Sequence, residues 1–169
     1  MAVEEQTAWN ALLFIQVSRK NGGQKLTIAN RVVSKLALRL TKSGSPTGNV
    51  VIRILRVSTG EVLATKIWGS ASLIPAWTDT VLAEVTFDTP VLINEEVRIL
   101  VYWPYDEGSN YPQLCYQNTN VKSGEVLTHG NGGWTDNSVW DSTYKYTYEE
   151  PTPPAAGGGP AALVAAGII

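Results

Sequence analysis

The sequence predicts an all-β protein: an antiparallel jelly-roll-like β-sandwich with a flexible Pro/Gly linker and an apolar C-terminal arm. Three observations predict it. Apolar residues between positions 11 and 148 recur with period two rather than 3.6. Gly, Pro, Asn and Ser clusters break these runs into about eight to ten short segments, the pattern of a sandwich or barrel. The chain of 169 residues is 44% apolar and 17% charged, enough apolar material for one buried core.

The segments follow in order. Ala11 to Val17 is a first run, and Asn21-Gly22-Gly23 reads as a turn between it and Gln24 to Ile28. Leu36, Leu38 and Leu40 alternate with Ala37, Arg39 and Thr41. Gly44-Ser45-Pro46-Thr47-Gly48-Asn49 then turns the chain into a run where Val50, Ile52 and Ile54 alternate with Val51, Arg53 and Leu55. Ser58-Thr59-Gly60 reads as a hairpin turn into Glu61 to Lys66. The irregular stretch from Gly69 to Thr78 suits a crossover between sheets. Val81, Ala83, Val85 and Phe87 alternate with Leu82, Glu84, Thr86 and Asp88, and Val97, Ile99, Val101 and Trp103 with Arg98, Leu100 and Tyr102. One apolar and one mixed face per run is the signature of strands covered on one side. Pro75, Pro90 and Pro104 punctuate these later segments. The organisation expected is an N-terminal arm over 1–10, a sandwich domain over 11–150, a linker over 151–160 and a docking arm over 161–169.

Composition limits the chemistry. The net charge of −2 offers no basic face for phosphate neutralisation, so a nucleic-acid partner is not expected. Cys115 is alone and forms no intrachain disulfide. With His129 it cannot complete a zinc site, and no cofactor is expected. His129 lies in the turn-like stretch Thr128-His129-Gly130-Asn131-Gly132-Gly133 and reads as a solvated side chain rather than a base. No Walker A loop, dinucleotide fingerprint or nucleophile elbow is present, so no enzyme is expected. Met1 to Gln6 is acidic and has neither the basic nor the apolar region of a secretory leader.

The charge is unevenly spread. Residues 1–101 hold 11 basic and 8 acidic side chains, a net of +3, and residues 102–169 hold 2 and 7, a net of −5. Opposite excesses of this kind suit head-to-tail contacts between copies, or are scattered over both faces. Ten of the fifteen aromatic residues fall between Tyr102 and Tyr148. Trp103, Tyr105, Asp106 and Tyr111 lie on one expected loop, and Trp134, Asp136 and Trp140 on another. A sugar's C–H face stacks on an aromatic ring while Asp, Asn or Gln take its hydroxyls, so these residues are candidates for glycan binding. Core packing is the competing use, because a chain with two Phe must fill its interior with Trp and Tyr. Asp106, Glu107, Asp136 and Asp141 are weak calcium candidates without the ordered loop motif of a calcium site.

Pro151 to Pro160 has the composition of a linker and cannot bury a core. Ala161 to Ile169 is wholly apolar but shorter than the ~20 residues needed to span a bilayer. It is read as an arm that docks on a neighbouring subunit through Leu163, Val164, Ile168 and Ile169, against two alternatives, a disordered tail and the start of a membrane anchor.

Ser34 to Ile54, a strand, a Gly-Ser-Pro-Thr-Gly turn and a strand ending in Arg53-Ile54, resembles the jelly-roll modules of bacterial surface proteins called choice-of-anchor domains. It is similar also to the galactose-binding-like modules of phage and viral structural proteins. Gly60-Glu61-Val62-Leu63-Ala64, Thr89-Pro90-Val91-Leu92-Ile93 and Gly132-Gly133-Trp134-Thr135 extend the resemblance over roughly 25–149. It implies a structural or adhesive module of a virion or extracellular surface, not an enzyme. No Leu-Pro-x-Thr-Gly sorting motif accompanies it, and no ligand residue transfers from it. The expected function is a structural subunit of an extracellular assembly, first a virion decoration, tail or capsid-associated protein, self-associating through the C-terminal arm. The alternative is a carbohydrate-binding or adhesion module.

Overall fold

The structure is a computed structural model that describes residues 1–151. The linker beyond Pro151 and the arm over 161–169 lie outside the described residues. The described chain is an all-β antiparallel sandwich whose sheet does not close into a barrel. Its strands are β1 (Ala2–Gln6), β2 (Ala11–Phe14), β3 (Asn21–Ser43), β4 (Asn49–Arg56), β5 (Val62–Ser70), β6 (Val81–Tyr102), β7 (Tyr111–Gln117), β8 (Val126–Gly130), β9 (Trp134–Asn137), β10 (Asp141–Ser142) and β11 (Tyr144–Glu149). A 3-10 turn over Ala71–Leu73 interrupts the β5–β6 connection. No helix among the described residues is long and apolar enough to cross a membrane.

Two long strands organise the molecule. β3 and β6 pair from Asn21↔Tyr102 to Leu40↔Val81, and the shorter strands attach to their edges. β8, β11 and β7 take successive stretches of the other edge of β3, while β4 and then β5 continue from β6. A straight strand would hold residues 22 and 40 roughly 60 Å apart at its usual rise. Yet Leu114, paired with Leu40, has a side-chain atom 3.5 Å from where a Cβ on Gly22 would stand. β3 therefore folds back over itself, and this fold makes the two layers. The β3–β6 register shifts between Ile28 and Arg31, around Asn30 in the left-handed region (φ 52°). A second shift falls between Val33 and Lys35, where β6 passes from Val91 to Thr86 around Pro90.

The alternation read from the sequence maps onto burial. Ala83, Val85 and Phe87 face the core while Leu82, Glu84 and Thr86 face out, and Leu36, Leu38, Leu40, Val50, Ile52 and Ile54 fill the interior. Over Val97–Val101 both faces are covered, because Arg53 and Arg98 lie flat across the outer one against Tyr102 and Trp134.

Four local expectations change. Asn21-Gly22-Gly23 is not a turn but the start of β3. A Cβ on Gly23 would stand 1.9 Å from the Ile99 carbonyl oxygen, and one on Gly22 would meet Ile15 and Leu13 at 2.6 and 2.8 Å, so close approach demands these glycines. Pro90 does not end a strand but sits at a register shift inside β6. The first ten residues are not wholly an arm, since β1 pairs with β11 from Ala2↔Tyr148 to Gln6↔Tyr144. Gln6 is buried, and Glu4 ion-pairs with Lys122 and Arg31. His129 lies on β8, half-buried, with burial and then the Arg19 charge lowering its pKa.

Candidate functional site

The loops singled out from the sequence prove to be heavily knitted into the fold. Trp103 is 0% exposed, and its indole N–H donates to the Thr47 carbonyl at 2.9 Å. Tyr105 packs on Trp103 with ring centroids 5.6 Å apart and keeps 39% of its surface. Beneath it lies Gly48 (φ 70°), where a Cβ would stand 2.3 Å from the tyrosine ring. Glu107 accepts from the Thr47 N–H at 2.8 Å and also from its hydroxyl, while the Asn110 side chain accepts from the Ser45 N–H at 2.9 Å. The Gly44–Gly48 turn and the loop after β6 thus hold each other, and Asp106 is exposed on that loop.

In the second group, Trp134 is half-buried under the Arg98 guanidinium, 4.5 Å from the ring centroid. Asp136 accepts from Thr128 at 2.7 Å and pairs with Lys25 at 2.7 Å and Arg98 at 3.4 Å. Burial works to raise the Asp136 pKa, but these donors outweigh it and hold the carboxyl below its ordinary value. Trp140 is half-buried against Tyr116, with centroids 5.1 Å apart. Asp141 is fully buried, and its oxygens accept from the Gln24 side chain at 2.6 Å and from the Val121 and Lys122 N–H groups at 2.6 and 2.9 Å. No three Asp, Glu, His or Cys side chains gather as a metal site among the described residues, and Asp106, Glu107, Asp136 and Asp141 are not brought together.

The structure assembles an open cleft of about 540 Å³ elsewhere, on the outer face where β2, β7 and the end of β3 meet. Asn10, Leu12 and Phe14 alternate onto this face, while Leu13 between them turns into the core. Gln113 of β7 stands opposite Phe14 and is 7% exposed. Lys42 and Ser43 close one side. The wall is Trp77, which reaches over from the irregular segment after β5. That segment is clamped to β3: Lys42 N–H and Thr41 Oγ1 donate to the Pro75 carbonyl at 3.0 and 3.1 Å, and Lys42 Nζ donates to the Ser72 carbonyl at 2.7 Å.

Trp77 is 54% exposed and meets Trp9 edge to face, with centroids 5.7 Å apart and planes at 75°. Phe14, 38% exposed, leans on Tyr111 at 5.2 Å, so Tyr111 is the residue of the sequence-derived set that adjoins the cleft. Asn10 is oriented by a reciprocal pair of bonds with Asn118, at 2.7 and 3.0 Å. The cleft thus offers exposed aromatic faces beside amide, hydroxyl and ammonium groups. Behind its floor, Cys115 pairs with Leu12 and is fully buried, and burial pushes its thiol up to about 12.

Sequence reasoning passed over Trp9 and Trp77 because each stands apart from the aromatic-rich stretch. The available signal was local: Pro75-Ala76-Trp77-Thr78-Asp79 places a large ring in a segment with no alternating pattern to bury it. No family model matches this chain, and no curated protein matches it either.

Proposed function

We propose that the chain is a non-enzymatic module of a virion or other extracellular surface, and that its cleft binds a glycan. The observation that carries this reading is Trp77, a tryptophan more than half exposed, held at the wall of a 540 Å³ cleft by Trp9 and by a backbone clamp to β3. A fixed, exposed indole offers a pyranose ring a stacking face without an ordering cost, and Gln113, Asn10 and Ser43 stand beside it for hydroxyls. The resemblance to galactose-binding-like modules points the same way. Cys115, with its buried and strongly protonated thiol, supports a role other than nucleophilic catalysis.

The test is a glycan array followed by calorimetric titration of each hit. Trp77→Ala is expected to abolish binding while leaving the melting temperature within about 2 °C, because an exposed ring contributes little to stability. An array without hits, or full binding by Trp77→Ala, overturns the reading.

A second reading, a structural subunit that self-associates or joins other proteins of the same particle, is favoured by the sheet margins. β1 and β5 end the strand order, and β5 carries exposed Val62 and Ile67. Its apolar arm, 161–169, lies outside the described residues. Removal of 151–169 is expected to leave a folded monomer, and unchanged assembly of that truncated chain would refute the arm.

A further inference from the structure

We infer that the sugar held in the cleft is anionic, carrying a carboxylate or a sulfate. This deepens the glycan reading and rests on it. The lining contains one ammonium, that of Lys42, and no carboxylate. Lys42 Nζ donates to a neutral carbonyl, that of Ser72, and forms no ion pair among the described residues. A second cation stands behind the floor. Arg39 precedes Leu40, which pairs with Leu114, so β3 carries Arg39 alongside Cys115 of β7. Arg39 donates from Nη1 to the Thr80 hydroxyl at 3.1 Å, and its Nε is buried with no hydrogen-bond partner. Arg39 too lacks a carboxylate partner among the described residues.

Arg19, Lys20 and Arg53 also have no carboxylate partner among the described residues, but none of the three lines the cleft. Lys25, Arg31, Lys35, Arg56, Lys66 and Lys122 each sit within 4 Å of an Asp or Glu oxygen. Asp79, two residues past Trp77, turns its carboxylate to the Thr80 N–H at 2.8 Å. The cleft therefore combines a stacking wall with cationic charge that the fold leaves uncompensated. A sugar carboxylate or sulfate reaching Lys42 makes a charge-assisted bond beside the aromatic wall.

The experiment titrates the full chain, followed by tryptophan fluorescence, with three oligosaccharides of equal length: a neutral galacto-oligosaccharide, an oligogalacturonate and a sulfated galactan fragment. At least one acidic probe is expected to bind about tenfold or more tightly than the neutral one. Its affinity should fall as salt rises from 50 to 500 mM, and Lys42→Gln should bring the acidic-to-neutral ratio to about one. The preferred acidic probe tells carboxylate from sulfate. Equal binding of all three overturns the inference and leaves the glycan reading standing. An acidic preference that salt does not weaken, or that survives Lys42→Gln, also overturns it. Failure of all three probes and of every array glycan removes both. The salt series on the unmodified chain decides the matter even if Lys42→Gln misfolds.

Discussion

Asp141 and Ser142 form a neighbouring pair on which the physical reasoning is exposed to a sharp test. Both are fully buried on β10, and single truncations should have opposite outcomes. The Asp141 carboxylate takes three donors: Gln24 Nε2 and the N–H groups of Val121 and Lys122. Gln24, itself 0% exposed, also accepts from the Ser142 N–H at 2.7 Å, so its amide orientation is fixed. Asp141→Ala strands the Gln24 donor in the core and loosens two loop amides. At about 1–3 kcal/mol for the stranded buried donor and about 1.5–3 kcal/mol for the charge-assisted bonds lost from the loop amides, the loss is about 3–6 kcal/mol. Asp141→Asn must point its NH₂ at one of the donors, and flipping Gln24 to accommodate it breaks the bond from Ser142. Its expected loss is about 2 kcal/mol. Ser142 Oγ, by contrast, is buried without a partner. Ser142→Ala removes a desolvated hydroxyl and should be neutral or stabilise by up to about 1 kcal/mol. Urea unfolding followed by tryptophan fluorescence measures all three, with an unchanged m-value as the control for two-state behaviour. Asp141→Ala within about 1 kcal/mol of the parent, or Ser142→Ala losing as much as Asp141→Ala, would refute the argument.

Other predictions concern pH, access and close packing. The Lys122 hydrogen bond, with help from its charge and from Arg31, holds the Glu4 pKa below its ordinary value. That stabilisation is present above the unfolded pKa and is lost as pH falls through the folded one, so Glu4→Gln should flatten the decline in stability below about pH 4.5. Glu125 has the opposite sign: burial raises its pKa despite the Tyr144 hydroxyl bond, so its contribution worsens as pH rises through the folded value. Glu125→Gln should therefore stabilise the chain at pH 7 and lose that advantage below about pH 4, as melting curves across pH will show. The Cys115 thiol, buried and pushed up to about 12, should react with a maleimide only as fast as the chain unfolds; rapid labelling of the native protein would contradict its placement. Gly23→Ala should cost more than about 3 kcal/mol, because its Cβ would collide with backbone at 1.9 Å. Gly60→Ala, at φ 75° with nothing within 4 Å, should cost about 1–2 kcal/mol, and urea midpoints compare the two.

The sequence exposed the fold wherever one physical cause acted alone. Period two over 81–88 survives as Ala83, Val85 and Phe87 inside and Leu82, Glu84 and Thr86 outside. The Gly44–Gly48 turn was legible because Gly44 (φ 63°) and Gly48 (φ 70°) both need the left-handed region. Legibility failed where one residue type serves two causes. Gly22 and Gly23 look like a turn, but they serve a close crossing of strands that no local pattern encodes. Aromatics carry the same ambiguity. Trp103, Tyr144 and Tyr146 fill the core, while Trp77 stands at a cleft, and only the folding-back of β3 decides which ring has company. The cleft draws on β2, β3, β7 and the segment after β5, so its parts are far apart in the chain.

The charge asymmetry of the two halves acquires a specific meaning in the folded chain. Much of the acidic excess after residue 101 is consumed internally. Asp136 compensates Lys25 and Arg98, Asp141 serves buried amide donors, and Glu125 accepts from Tyr144. Glu4 and Glu84 from the first half repay the exchange by pairing with Lys122 and Lys145 of the second. Ion pairs therefore link the halves within one copy, which weakens the case for reserving these charges for head-to-tail contacts. What this pairing leaves over includes Arg39 and Lys42, where β7 supplies Gln113 and Cys115 but no carboxylate. A positive residue of charge beside Trp77 is thus a consequence of which strands the fold brings together, and it is the feature on which the proposed preference for an anionic over a neutral sugar rests.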